Sequence, residues 1–172
     1  MIEIIGDLWK FYGREGIYCC ITTNGFVKSD GRAVMGRGCA KEAVDKFPQL
    51  PRIVGTHVSL NGNCVAVLCP DPDRKAPNIV TFPVKHVWWE KADIDLIKKS
   101  AMELSKLAKT YPSRKYILPR PGCGNGLLEW DTVKAVIQSI LPNNVFVITK
   151  EGDSDVHSDH RSGQRPILDQ LR

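Results

Sequence analysis

The stretch ILPRPGCGNGLLEW, residues 117 to 130, contains an apolar run that ends in Pro-Arg-Pro and three glycines. Gly122, Gly124 and Gly126 alternate with Cys123 and Asn125 just before a helical pattern begins. Glycine permits positive φ angles and lets another group approach the backbone closely. The pattern predicts a strand, a tight turn and the start of a helix. We therefore expect a ligand to lie against this turn.

The composition is that of an ordinary globular protein. The chain has 172 residues, of which 42% are hydrophobic and 25% charged, so we expect one domain. The net charge of +5 is weak for a dedicated nucleic-acid binder but suits an anionic or phosphate-bearing partner. No run approaches the roughly 18 apolar residues of a membrane span. The N-terminus MIEIIGDLWK has no signal-peptide pattern, so we expect a cytoplasmic protein without a membrane partner.

Cysteine and histidine patterns do not predict a metal centre. None of the six cysteines forms a C-x-x-C pair, which favours small buried thiols in a reducing compartment; they are Cys19, Cys20, Cys39, Cys64, Cys69 and Cys123. His157 and His160 stand near Asp155 and Asp159 in a polar segment. A polar tail whose side chains have no fixed partners is favoured there over a metal site. We expect no cofactor.

Short apolar runs alternate with amphipathic patterns along residues 1–150. Strands are predicted at 2–5, 16–22, 64–69, 78–82, 115–118 and 145–149, and helical stripes at 40–47, 94–107 and 133–140. Asp93 and Asp131 stand at or near the starts of two of these helices. The alternation predicts an α/β protein with a mainly parallel, three-layer sheet. Residues 151–172 are predicted to be a polar C-terminal tail, flexible or docking as a strap by its apolar end.

A second glycine-rich loop follows another predicted strand. It begins at Thr22-Thr23-Asn24-Gly25, contains Gly31, Gly36 and Gly38, and leads into the helix near Cys39. Strand ends and helix N-termini in such sheets attract anions. Neither loop matches the P-loop or the G-x-G-x-x-G pattern. A pair of such loops at matching strand ends nevertheless suggests a diphosphate ligand.

These segments together resemble a macrodomain, the ADP-ribose-binding module. The resemblance covers residues 1 to about 150 and rests on GDLW at 6–9, ITTNG at 21–25, MGRGCAKEA at 35–43 and PGCGNGLLEW at 121–130. The run TFPVKHVWW at 81–89 is most similar to the branch that contains the terminal ADP-ribose protein glycohydrolase and the DarG antitoxin. The resemblance implies a three-layer α/β/α sandwich with a mixed, mostly parallel sheet.

The resemblance also implies a set of ligand-binding residues. Asp7 would accept a hydrogen bond from the adenine amino group, although from the sequence alone it could equally cap a short helix or turn. Asn24 would bind the distal ribose. The implied set is Asp7, Leu8, Thr23, Asn24, Val34, Met35, Gly36, Arg37, Gly38, Pro121, Gly122, Cys123, Gly124, Asn125, Gly126 and Leu127.

Lys85 is the residue to which the resemblance assigns catalysis, together with Asn24. A partly desolvated amine loses its proton more easily and can act as nucleophile or base; a surface lysine after a strand is the alternative. His86 is a candidate proton carrier. The sequence departs from the eukaryotic glycohydrolase at Gly126, where that enzyme has an aspartate, and DarG also lacks this acid. Glu129, at a predicted helix start, is more simply explained by the helix dipole.

Two further features bear on the substrate. Residues 28–32, KSDGR, lengthen the first loop, so Lys28, Asp30 or Arg32 could project over the site and select the substrate. Trp88 and Trp89 follow Lys85 closely, and one of them could stack on an unpaired base, or one could lie in the core and the other be half-exposed. Trp130 is expected to pack beneath the third predicted helix.

The first expected function is an ADP-ribosyl glycohydrolase that removes ADP-ribose from a modified macromolecule, either DNA thymidine or protein. The alternatives are a phosphatase acting on ADP-ribose 1''-phosphate and a reader that binds ADP-ribose without turnover. The expected partners are ADP-ribose and an ADP-ribosylated substrate, with single-stranded DNA among the candidates. We expect a monomer.

Overall fold

A six-stranded sheet forms the centre of the computed structural model, which describes residues 1–70, 78–150 and residue 152. Its strands occur in the order β1-β6-β5-β2-β4-β3. Neighbouring strands are parallel except β3 and β4, which are antiparallel. This confirms the predicted mixed, mostly parallel sheet. The strands are β1 (Ile2–Ile5), β2 (Ile17–Asn24), β3 (Val67–Leu68), β4 (Ile79–Lys85), β5 (Lys115–Pro119) and β6 (Val145–Thr149).

Helices cover both faces of this sheet. A 3-10 helix spans Leu8–Lys10, and the α-helices are α1 (Gly38–Lys46), α2 (Leu50–Asn61), α3 (Ile94–Thr110) and α4 (Trp130–Ile137). One buried cluster joins one sheet face to α3 and α4. A second joins the other face to α1, α2 and the 3-10 helix. The predicted three-layer α/β/α architecture is therefore confirmed.

The central strand β2 contributes to both layers. Cys19, Cys20 and Ile21 are fully buried, with Cys20 packed on the α3 and α4 side and its two neighbours on the opposite side. A strand buried on both faces gives the continuous apolar run seen in the sequence. Burial raises the pKa of Cys19 to about 12, so its thiol stays protonated near neutral pH. The expectation of buried thiols is wrong for Cys69, which is exposed.

Several element bounds differ from the sequence-based prediction. The strand predicted at 64–69 shrinks to two residues because the Thr81 hydroxyl accepts a hydrogen bond from Ala66 N (2.9 Å) and donates to Cys64 O (3.1 Å), replacing ladder bonds. Strand β4 extends beyond the predicted end to Lys85. Helix α2 was not predicted, because its sequence contains Pro51 and Gly55; Pro51 lies in the first turn, where a proline is tolerated.

Two further predictions concern the C-terminal tail and membrane-spanning segments. The tail predicted at 151–172, with its histidines, lies outside them except for Gly152. Within the part of the chain that the structure describes, no helix is both long enough and apolar enough to cross a membrane.

Candidate functional site

Two glycine-rich loops lie side by side at one edge of the sheet. Loop 1 (residues 25–37) joins β2 to α1, and loop 2 (residues 120–129) joins β5 to α4. Because β2 and β5 are neighbouring parallel strands, both loops emerge at the same edge. The start of α1 lies close to loop 2, since a Cβ on Gly38 would lie 3.4 Å from Asn125 Nδ2. The sequence prediction of two adjacent loops at matching strand ends is confirmed.

The helices that follow these loops start without side-chain caps. The side chains of Arg37, before α1, and Glu129, before α4, make no capping hydrogen bond. By contrast, Asp93 caps α3 through the amides of Asp95 and Leu96, and Asp7 caps the 3-10 helix. The first amides of any helix have no intrahelical acceptor. Those of α1 and α4 are therefore suited to an anion placed between the loops.

The glycines of the two loops have different roles. Gly122 has φ +77°, and a Cβ there would lie 2.7 Å from Ile97 Cδ1. A Cβ on Gly126 would lie 2.3 Å from Gly122 O, so loop 2 folds back on its own backbone. A Cβ on Gly36 or Gly124 would meet nothing within 4 Å. Gly122 and Gly126 thus shape the loop, whereas Gly36 and Gly124 border open space.

Leu127 adopts a strained conformation at the end of loop 2. Its φ is +61°, the only positive value among non-glycine residues of the described chain, and its side chain is 71% exposed. The Leu127 amide donates to Gly124 O at 3.0 Å, which fixes this conformation. Strained, exposed apolar residues of this kind occur at ligand-binding sites. The sequence pattern contained no sign of this strain.

Asn24 closes the start of loop 1. Its Nδ2 donates to Val34 O at 2.8 Å, and its Oδ1 accepts from Phe26 N at 3.0 Å. One further donor hydrogen and one further acceptor lone pair remain on the amide. Asn24 therefore holds the loop while keeping capacity for a ligand hydroxyl.

Lys85 bridges the sheet and loop 2. It is the last residue of β4, and its Nζ donates to Asn125 O at 2.8 Å. Burial lowers the pKa of this amine, and the positive charge of Arg37 lowers it further. The amine is thus hydrogen-bonded to loop 2, and it is repelled by the positive charge of Arg37 at the end of loop 1.

A histidine and an aspartate pair beside Lys85. His86 Nε2 lies 2.9 Å from Asp93 Oδ2, while the other Asp93 oxygen caps α3. The hydrogen bond to His86 is the main reason that the pKa of Asp93 is lowered. Sequence reasoning identified Asp93 only as a helix cap and missed this pairing. The seven-residue separation in sequence gave no signal, because the residues between them belong to a turn rather than a helix.

Other predicted ligand-binding residues differ in what their side chains offer to a ligand. Asp7 accepts a hydrogen bond from Trp9 N at 2.9 Å, so the capping role is present, and its second carboxylate oxygen can still accept. Leu8, Thr23, Met35 and Pro121 are buried, so their side chains offer little surface to a ligand. Cys123 is half-buried.

The extra segment of loop 1 is a closed turn supported by α2. Lys28 N donates to Arg32 O at 2.8 Å, and Arg32 forms an ion pair with Asp30 at 2.6 Å. A Cβ on Gly55 of α2 would lie 2.1 Å from Gly31 O, which shows how closely the helix and the turn approach. Helix α2 thus positions loop 1, a role absent from the sequence prediction.

The positions of the tryptophans decide between the two alternatives predicted for Trp88 and Trp89. Trp130 is buried as expected, and its Nε1 donates to Glu3 at 3.3 Å. Trp88 and Trp89 are both exposed, so the alternative with one of them in the core is wrong.

Within the described residues, no group of three metal-ligating side chains is found.

Concave surfaces also occur away from the loops. Depressions of about 570 and 400 Å³ lie along α3 and α4, and none of the predicted site residues lines them. The paired loops define the candidate site through the Lys85–Asn125 hydrogen bond and the open space at Gly36 and Gly124.

Solved structures share this fold. The macrodomain of Thermus aquaticus DarG is 24% identical with a TM-score of 0.66, over 87% of this chain and 97% of that one. The macrodomain of Mycobacterium tuberculosis DarG is 18% identical with a TM-score of 0.63, over 85% and 97%. Thermosipho africanus DarTG, solved in complex with ADP-ribose, is 17% identical with a TM-score of 0.67, over 91% of this chain and 43% of that one.

No protein-family model matches the chain, and no curated protein sequence matches it. The structural similarity, at identities below 25%, identifies the fold: the chain has a macrodomain fold.

Proposed function

We propose that this protein binds ADP-ribose, with the diphosphate between loop 1 and loop 2. The uncapped starts of α1 and α4 supply amides and positive dipole ends for the phosphates. The open space at Gly36 and Gly124 leaves room for a ligand against the backbone. The ADP-ribose complex of Thermosipho africanus DarTG, which shares the fold, supports this choice of ligand.

We further propose that the protein is an ADP-ribosyl glycohydrolase with Lys85 as the reactive group. The observation that carries this proposal is the amine held 2.8 Å from Asn125 O, at the same sheet edge as Asn24. Burial and Arg37 both favour the neutral amine. A neutral amine can keep one N–H on Asn125 and direct its lone pair into the cleft.

The reaction has two steps. The lone pair of Lys85 bonds to the anomeric carbon of the distal ribose while the bond from that carbon to the carrier breaks. The carrier leaves with the electron pair and takes up one proton, which is offset by the proton released from the attacking nitrogen. Water then adds its oxygen to the anomeric carbon, and the C–N electron pair and one water proton return to Lys85. Asn24 would orient the ribose hydroxyls during both steps.

Release of ADP-ribose from defined substrates tests this function. The substrates are an oligonucleotide ADP-ribosylated on thymidine and a protein ADP-ribosylated on glutamate. Lys85→Ala is expected to slow release at least about 100-fold while free ADP-ribose still binds. Lys109→Ala, an exposed lysine at the far end of α3, is the matched control. Release from neither substrate rejects the glycohydrolase, and an unaltered rate in Lys85→Ala rejects Lys85 as its reactive group.

One observation favours a second function, a reader without turnover. The loop acid of the eukaryotic glycohydrolase is absent, and the Gly122–Gly126 contact leaves no room for one. Calorimetry showing ADP-ribose binding, together with no release from either substrate, would support this reader.

A further inference from the structure

Asp93 contacts the chain on both sides of Lys85. Its amide donates to Val84 O at 2.9 Å, and its Oδ2 lies 2.9 Å from His86 Nε2. Val84 and His86 are the residues immediately before and after Lys85. One aspartate thus holds the residue that precedes the amine-bearing lysine by its main chain and the residue that follows it by its side chain.

The neighbouring residue Ala92 connects this arrangement to loop 2. Ala92 N donates to Gly126 O at 2.9 Å, while Lys85 Nζ donates to Asn125 O at 2.8 Å. Asn125 and Gly126 are consecutive, so their Cα atoms are about 3.8 Å apart. Lys85 and the segment 92–93 therefore hold adjacent carbonyl groups of the same loop.

The contact between His86 and Asp93 is itself held in place. Asp93 Oδ1 accepts hydrogen bonds from Asp95 N at 2.9 Å and Leu96 N at 3.4 Å, so the carboxylate cannot turn without losing the cap of α3. The His86 carbonyl accepts from Gly25 N at 3.0 Å. His86 is thus fixed to the start of loop 1 by its main chain and to the first turn of α3 by its ring.

This contact also closes the connection between β4 and α3. Residues 86–93, all of which the structure describes, lie outside helices and strands. A segment of this kind gains little order from its own backbone. The His86–Asp93 bond joins its two ends, and it therefore controls the direction in which the chain leaves Lys85.

We propose that His86 and Asp93 are positioning residues for Lys85 and that their contact keeps the amine on Asn125 O. This inference rests on the proposed function, in which Lys85 attacks the anomeric carbon. A lysine side chain has four flexible bonds, and a misplacement of about 1 Å between reacting groups can cost about 100-fold in rate. In this role the imidazole needs only a nitrogen that reaches the carboxylate. Proton transfer by His86 is the competing account.

Single-turnover release of ADP-ribose from the substrate that the parent cleaves tests the positioning role. His86→Ala is expected to slow release at least about tenfold while calorimetry gives the parent's affinity for free ADP-ribose. His86→Gln, whose amide nitrogen can donate to the same carboxylate, should restore the rate. Asp93→Ser keeps a cap for α3 but is too short to reach His86, so it should behave like His86→Ala. The double variant His86→Ala/Asp93→Ser should be no slower than either single variant, because both changes remove one contact.

Lys134→Ala is the matched control for stability. It breaks the Lys134–Glu3 ion pair, whose side chains are 38% and 37% exposed, against 60% and 37% for His86 and Asp93. Exposed pairs contribute little to folding. Thermal unfolding should therefore give similar small changes for Lys134→Ala and His86→Ala, whereas only His86→Ala should release ADP-ribose more slowly.

A titration of Lys85 by NMR, followed at its Cε, gives a readout that does not need turnover. Burial, and then the charge of Arg37, lower the pKa of this amine in the parent. An amine that leaves Asn125 O is better solvated, so its midpoint should rise toward the ordinary lysine value in His86→Ala and stay at the parent's value in His86→Gln. Imidazole carries no charge in the alkaline range where amines titrate, so His86→Ala removes no charge there.

The outcomes separate this inference from the proposed function. An unchanged release rate together with an unchanged Lys85 midpoint in His86→Ala overturns the positioning role and leaves the glycohydrolase standing. Release that is as slow in His86→Gln as in His86→Ala indicates proton transfer by the imidazole, which also overturns it. A parent protein that releases ADP-ribose from neither substrate removes the proposed function, and the Lys85 titration then decides by itself whether the His86–Asp93 contact holds the amine.

Discussion

Asn24 and Lys85 occupy paired positions at the ends of β2 and β4, directly after a register shift between Thr23 and Asn24. Thr23 pairs with Pro83, and the next pair skips Val84. Pro83 has no amide hydrogen for the ladder, which is compatible with an irregularity at this point. The shift brings an amide from one strand and an amine from the other to the same edge, where loops 1 and 2 meet.

Asn24→Asp tests whether the loop 1 closure depends on the side-chain amide. The substitution replaces Nδ2 by an oxygen that faces the Val34 carbonyl, so a donor bond of 2.8 Å becomes a repulsion. The loss should cost about 1 to 3 kcal/mol in ADP-ribose binding. Calorimetry measures it, with Asn143→Asp, an exposed residue in the turn before β6, as control. Unchanged affinity in Asn24→Asp would contradict the closure.

Arg37→Gln tests the electrostatic control of Lys85. In the proposed reaction only the neutral amine attacks, so the rate should rise with pH around a midpoint below the ordinary pKa of lysine. Removing the Arg37 charge raises the pKa of Lys85 and moves the midpoint to higher pH. Burial is the larger cause, so the midpoint should remain below the ordinary value. Single-turnover rates measured against pH give the midpoint. Arg37→Lys, which keeps the positive charge, should have the midpoint of the parent protein. A midpoint at lower pH in Arg37→Gln would be inconsistent with this electrostatic effect.

Gly126→Asp tests whether a loop acid can be supplied at that position. The new Cβ would lie 2.3 Å from Gly122 O, so loop 2 must move. We expect the free energy of unfolding to fall by about 1 to 3 kcal/mol, as in overpacked sites, without any gain in turnover. Gly124→Asp, where a Cβ meets nothing within 4 Å, is the matched control for stability but not for release, because Gly124 borders the proposed diphosphate site. Denaturant unfolding and release assays measure both; faster release by Gly126→Asp would refute the steric argument.

Gly55→Ala tests the support of loop 1 by α2. In a helix interior this change usually stabilises by about 1 kcal/mol. Here the methyl group would lie 2.1 Å from Gly31 O, so we expect lower stability and weaker ADP-ribose binding. Thr56→Ala, an exposed neighbour on the same helix, should leave binding unaffected. Thermal unfolding and calorimetry measure the two effects, and a stabilised Gly55→Ala with full affinity would show that the contact is unimportant.

The architecture could be predicted because its signals are local. The run at 145–149 is both the predicted and the observed β6, and the stripe from Ile94 matches the buried face of α3. The two loops were also predictable, because glycine-rich segments follow strands in the sequence. Helix α2 was not, since Pro51 and Gly55 weaken its pattern while tertiary contacts with loop 1 stabilise it.

The details of the site depend on distant contacts that no local pattern encodes. The sequence alone could not show that Gly126 touches Gly122 O, or that Lys85 reaches Asn125 O. It also left Trp88 and Trp89 undecided between core and surface, because neighbouring indoles in a turn have no periodicity. The roles assigned to Lys85, Asn24 and the ligand-binding set remain predictions.

The uncapped N-termini of α1 and α4 create a trade-off between stability and ligand binding for anyone who engineers this protein. Giving Arg37 or Glu129 a shorter side chain such as serine would add a helix cap, a change that commonly raises thermal robustness. The same hydroxyl would then occupy the amides that the proposed phosphate site uses. A thermally stabilised variant of this kind would therefore bind the proposed ligand less tightly.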